Sequence, residues 1–240
     1  MEDVRRALAP NVELGESPLW PVAAIVGAAG LYADLPSRFI YGPGGGAFSV
    51  VRWVVPALTV LVLFALGLIR PGGPIGRALD WRPEILNLTR RRLALGTIAI
   101  VSAANAASII LFAHLLVNGV ETATASTLLR AAIHMWVVNV LLFALWYWQL
   151  DGGGPLVRPA CAPVQRDFLF PQQTEPVFAE SGWRPLFLDY LYVSFTNATA
   201  FSPTDAMPLS RWAKMLMLVQ SAISLSLAVM VVARAVNLLQ

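Results

Sequence analysis

From Leu93 to Val117 the chain carries no formal charge, and Ala131 to Leu150 does the same. Stretches of that length and character suit a bilayer-crossing helix, which needs about 20 apolar residues at 1.5 Å rise to cover a 30 Å core. In lipid every backbone N–H and C=O must find its partner inside the chain, so such segments can only be helices or strands of a closed barrel. Uninterrupted apolar runs, rather than alternating ones, select helices. Composition agrees: 57% of residues are hydrophobic and 13% charged, where a soluble domain carries about a quarter charged. The sequence predicts an all-α, polytopic membrane protein.

Two further stretches extend the count. Ser17 to Ala33 is uncharged, short and rich in Ala and Gly, and Phe48 to Ile69 carries Arg52 and Trp53 near one end, where interfacial anchoring suits both. The glycine-proline run Arg38 to Gly46 turns the chain between them. The last apolar helix, Leu209 to Leu239, is about 45 Å long and should tilt or project beyond the core. Spans near 17–34, 48–69 and 93–117 would form an N-terminal domain over residues 1–127. Residues 128–240 would form a second module with a helix at 131–150 and a polar loop at 151–184. That gives about five transmembrane helices. Cytoplasmic loops gather Lys and Arg. Arg70, Arg77, Arg82, Arg90, Arg91 and Arg92 lie between the second and third spans, so that loop is expected inside, with Arg158, Arg166, Arg184, Arg211 and Lys214 on the same face. Acidic lipid headgroups are one partner such a loop could hold.

Between 185 and 200 lies a short aromatic, amphipathic segment, too short to cross a bilayer and followed by a Thr, Ser, Pro and Asp turn. Short helices at membrane depth are tolerated where protein or a water-filled path surrounds them. A re-entrant segment is therefore expected here. Asp189-Tyr190-Leu191-Tyr192-Val193-Ser194-Phe195-Thr196, then Thr199, then Asp205-Ala206-Met207-Pro208-Leu209-Ser210, resembles the pore module of the tetrameric potassium-channel superfamily. The resemblance implies a homotetramer, an outer helix at 131–150, a pore helix at 185–200, a filter-like loop at 201–208 and an inner helix at 209–239. Strings such as ALWYWQLDGGGP and YVSFTNATAFSPTD also resemble a group of bacterial membrane proteins, which implies a bacterial inner-membrane location.

The filter departs from the family pattern. Setting Asp205 on the filter's terminal acid puts Ala200, Phe201, Ser202, Pro203 and Thr204 where TVGYG would stand. Potassium filters line the axis with backbone carbonyls, and their glycines permit the left-handed angles this requires. Ser202 and Thr204 occupy those positions, and Pro203 is locked near φ −65°. Two readings follow. Ser202, Thr204 and Asp205 could form a polar ring whose side chains replace carbonyls, within a constriction of Thr199, Ala200, Phe201, Ser202, Pro203, Thr204 and Asp205 that passes monovalent cations without strict potassium selectivity. Alternatively, the loop turns the chain and caps the last helix. That helix carries Met217, Gln220, Ser221, Ser224 and Ala228 on one face, either lining a cavity or packing against a neighbouring helix. Charge count favours cytoplasmic entry of the loop; the family favours external entry.

The helices at 93–117 and 131–150 should form a hairpin turning near residue 124, bringing His114 level with His134 and Ser108 level with Asn139. Interhelical pairing is one reading of the histidines, and pH sensing the other. No acid, base and nucleophile set is visible, nor a phosphate loop, an HExxH or a CxxC, so no enzyme activity, metal or resident cofactor is expected. The arginines lack the scaffold of a nucleic-acid binder. Lone Cys161 excludes an internal disulfide framework. The N-terminus lacks the apolar core of a cleavable signal peptide. The expected partners are lipid and copies of the chain, and bound monovalent cations or lipid are the expected ligands. A non-conducting membrane scaffold, or a lipid- or ligand-binding sensor, is the alternative function.

Overall fold

The structure, a computed structural model, describes residues 19–41, 53–68, 83–118, 124–155, 158, 166–175, 177, 183–199 and 206–238. Within them the chain is mostly helical. Its elements are α1 (Leu19–Asp34), α2 (Arg38–Tyr41), α3 (Val54–Leu68), α4 (Pro83–Val117), α5 (Ala125–Leu150), β1 (Phe168–Leu169), α6 (Pro171–Thr174), α7 (Phe187–Ala198), β2 (Met207–Pro208) and α8 (Arg211–Leu238). Three of the described helices are long and apolar enough to cross a membrane, in the ranges Asn87–Val117, Ser126–Gly153 and Arg211–Ala233; α1 and α3 are shorter apolar helices.

Local chemistry sets the boundaries. Pro83 opens α4, where a first-turn proline gives up no intrahelical hydrogen bond. The helix therefore begins ten residues before the expected Leu93 and takes in Arg90, Arg91 and Arg92, which were expected in a loop. Arginine is a good helix former, and nothing in those ten residues breaks the helix. At α5 the hydroxyl of Thr124 accepts the Thr127 backbone N–H at 3.4 Å, so this helix starts at Ala125 rather than at Ala131. The opposite end of α5 is closed by Gly152, Gly153 and Gly154, with φ of 56°, 83° and 97°. Only glycine adopts such a run without strain. At α7, the Asp189 carboxylate accepts the Leu186 backbone N–H at 2.7 Å and caps the first turn.

Helix α5 is the centre of the bundle. Trp146 donates its indole N–H to the Ser102 hydroxyl at 3.1 Å, so α4 and α5 are antiparallel about a turn near 124, in the expected register. Helix α1 is antiparallel to α5 as well, with Gly27 against Leu141 and Asp34 against His134. Helix α8 is a third antiparallel neighbour, meeting Asn139 at Ser224 and Tyr147 at Gln220. One apolar cluster gathers Tyr32, Phe39, Phe112, Met135 and Leu227 toward the start of α5. A second gathers Ala24, Val101, Val138, Leu142 and Phe187 beside its second half. A third, around Tyr147, Phe168, Tyr190, Ala213 and Met217, sits at the C-terminal end of α5.

The stretch 151–184, expected as a loop, contains folded pieces. Asp151–Gly153 forms a 3₁₀ turn, and β1 pairs antiparallel with β2, Phe168 opposite Pro208 and Leu169 opposite Met207. The two-residue ladder is the sole departure from an all-helical chain among the described residues. Helix directions put Arg90, Arg91, Arg92, Arg158, Arg211 and Lys214 at the end of the bundle where α5 terminates.

Candidate functional site

Helix α7 lies along the second half of α5. Its first residue, Phe187, stacks edge-on against Trp148 at 6.1 Å, and Arg158 donates from Nη1 to the Pro185 carbonyl at 3.2 Å. Toward its other end the Ser194 hydroxyl donates to the Val140 carbonyl at 2.7 Å, and Phe195 meets Trp136 edge-on at 5.7 Å. The helix thus runs from the end of α5 to its middle. Asn197, in the last turn, reaches α8: Nδ2 donates to the Met217 carbonyl and to Gln220 Oε1, both at 2.9 Å. Thr199 closes α7, its hydroxyl donating to the Phe195 carbonyl at 3.0 Å. The chain reappears at Ala206, packed in the cluster with Tyr147 and Tyr190, and then pairs through β2 with β1 beside Asp151.

The centre of this arrangement is Gln220, which has no exposed surface. Its Oε1 accepts from the Tyr147 hydroxyl at 2.6 Å and from Asn197, while its Nε2 donates to the Ser194 carbonyl at 2.9 Å and the Ser194 hydroxyl at 2.7 Å. A primary amide has two donor hydrogens and two acceptor lone pairs, and here all four are used. Ser221 donates to Asn197 Oδ1 at 3.1 Å, and Asn139 donates to Ser224 at 3.1 Å. Met217, Gln220 and Ser224 are all buried against α5 and α7 within one chain. Of the two roles expected for Met217, Gln220, Ser221 and Ser224, the contacts within one chain are those of packing: Met217, Gln220 and Ser224 are buried, and Ser221 is half-buried.

A second buried polar node sits where α5 ends. Asp151, also without exposed surface, accepts on Oδ1 from the backbone N–H groups of Asp167 at 2.7 Å and Phe168 at 3.1 Å. Its Oδ2 accepts from the Tyr190 hydroxyl and lies 3.5 Å from Arg158 Nε. Arg158 is buried too, donating to the carbonyls of Trp148 and Pro185, with its guanidinium carbon 4.8 Å from the centre of the Tyr190 ring. A buried charge persists only when paired and hydrogen-bonded, and this pair meets both conditions. In the sequence, Asp151 stands only as the first residue of the expected polar loop 151–184. The one signal that could have found more was a carboxylate placed directly after an apolar helix and before three glycines.

The register about residue 124 keeps His114 level with His134, and each ring has a neighbour of its own. His134 Nδ1 lies 3.5 Å from Asp34 Oδ2 of α1, while His114 lies against Asn118 one turn along its own helix. Asp34 is exposed and Nδ1 of His134 has no hydrogen-bond partner. No grouping of three or more metal-ligating side chains occurs among the described residues.

Of the expected constriction only Thr199 is described; Ala200, Phe201, Ser202, Pro203, Thr204 and Asp205 lie outside the described residues. No family model matches the chain, and neither curated proteins nor solved structures provide a match.

Proposed function

We propose that the chain is a multi-pass protein of a bacterial inner membrane in which residues 187–208 enter the bilayer from one face and return to it. Copies of the chain, four on the potassium-channel resemblance, would surround the returning loops and pass small monovalent cations between them. One observation carries this reading: the course of the chain around α7. From the level of Asp151 to that of Val140 is about 16 Å along α5, roughly half a bilayer core. Ser194 is bonded at the Val140 level, and Ala206 is back among the residues around Asp151. The basic residues at the end where α5 terminates support entry from the cytoplasmic face. Asp205 is the acid expected to attract cations at the mouth, and Thr199, Phe201, Ser202, Pro203 and Thr204 complete the constriction.

The test is cation flux into vesicles holding the purified protein, together with the mass of the intact detergent-solubilised assembly. A tetramer whose flux falls when Asp205 is replaced by Asn supports the proposal. A monomer, or absence of flux under varied pH, voltage and lipid, defeats it.

A second reading is a non-conducting scaffold or lipid- or ligand-binding sensor with the same architecture. It is favoured by the complete use of Gln220 inside one chain and by the pairing of Ser224 with Asn139, which leave those side chains no lumen to line. It predicts the same oligomer with no flux.

A further inference from the structure

We propose that Asp151 is a positioning residue that holds both limbs of the segment 187–208 to the end of α5, one carboxylate oxygen to each limb. This rests on the reading of that segment as one that enters and returns, and it asks what fixes the depth to which it enters. On the entering side, Oδ2 takes the hydroxyl of Tyr190, in the first turn of α7. The same oxygen faces Arg158, which in turn grips the carbonyl of Pro185, two residues before α7 begins. On the returning side, Oδ1 takes the N–H groups of Asp167 and Phe168. Those residues carry β1, and β1 carries β2, the first element after the return. Leu209 adds a second tie, donating its N–H to the Asp167 carbonyl at 2.8 Å.

The division of labour follows from the chemistry of the group. A carboxylate has two oxygens with about four acceptor positions, so it alone among side chains of this size can serve two sets of donors arriving from opposite sides. The glycines that follow it permit this. Gly152, Gly153 and Gly154 at positive φ end α5 abruptly, so the carboxylate turns under the helix end. The Cβ of any other residue at 154 would stand 2.9 Å from the Gln149 carbonyl oxygen. Arg158 neutralises the charge from beneath and stacks on the Tyr190 ring, which closes the node to water. A displacement of the α5 terminus is therefore transmitted to both limbs at once.

The experiment measures two distances by pulsed electron spin resonance in vesicle-reconstituted full-length protein, in a Cys161→Ser background, with labelled protein diluted into unlabelled. One pair of spin labels, at Leu129 and Leu188, reports on the entering limb; the other, at Leu129 and Met207, reports on the returning limb. All three sites are exposed. In the background chain both pairs give a single narrow peak. With Tyr190→Phe, the entering pair loses its narrow peak and the returning pair keeps it. With Asp151→Ala, both lose it. Asp151→Asn retains one acceptor oxygen and serves if the alanine variant fails to fold; one pair loses its peak and the other does not. Narrow peaks from both pairs in Asp151→Asn, or loss from both in Tyr190→Phe, overturn the proposal. Ion flux measured on the same vesicles bears on conduction, so a non-conducting protein with the expected distance pattern refutes the pore and leaves the clamp standing.

Discussion

Replacing Gln220 with Leu keeps the volume of the side chain and deletes every hydrogen bond it makes. The cost can be built from its partners. The Tyr147 hydroxyl, buried at 0% exposure, loses its acceptor outright, and a buried polar group left without a partner costs about 1–3 kcal/mol. Asn197 keeps its bond to the Met217 carbonyl, and the Ser194 hydroxyl keeps its bond to Val140, so each loses one contact and is not orphaned; the Ser194 carbonyl, inside α7, loses one as well. Such contacts between membrane helices are worth about 0.6 kcal/mol each. The expected loss is about 3–5 kcal/mol, summed from the orphaned hydroxyl and these three contacts. Tyr147→Phe removes the orphan, so the double variant should be less damaged than the two single losses added together, by about 1 kcal/mol. Reversible unfolding in mixed detergent micelles, followed by circular dichroism, gives the four stabilities required. A Gln220→Leu loss below about 0.5 kcal/mol, the ordinary scale for a surface substitution, would refute the reasoning. So would strict additivity with Tyr147→Phe.

Other consequences are simpler to check. Gly154→Ala forces a side chain onto φ +97° and against the Gln149 carbonyl, and it should cost about 1–3 kcal/mol in the same unfolding assay. Gly152→Asn, at φ 56° where Asn is tolerated, should cost less. Asp34 is 62% exposed, so Asp34→Asn should shift stability by about 0–1 kcal/mol at most. A larger loss would mean that the contact with His134 anchors α1.

Much of the bundle is readable from the residues because membrane helices announce themselves by length and lack of charge. The hairpin register about residue 124 follows from the midpoint between the two apolar stretches, and the Trp146–Ser102 bond realises it. The short helix before the last one is also legible, since its aromatic stripe ends at a Thr and Pro turn. The partner of the polar face on α8 is not. Gln220 and Ser224 at helical spacing would serve water or a neighbouring helix equally well, and the partners Asn197, Ser194 and Tyr147 arrive from elsewhere in the chain. Asp151 was hidden for a related reason. Its partners at Asp167 and Tyr190 are 16 and 39 residues away in sequence, beyond the reach of any local pattern. The arginines at 90–92 were misassigned because a cluster of positive charge reports which side of a membrane it occupies, not whether the backbone beneath it is helical.

The amide of Gln220 also imposes an order on biosynthesis. Tyr147, Ser194 and Asn197 all emerge from the ribosome before it, and each has a bond to that amide in the finished bundle. Until α8 arrives, the Tyr147 hydroxyl lacks the acceptor it has in the finished bundle. Helix α8 is thus the one that certifies the others.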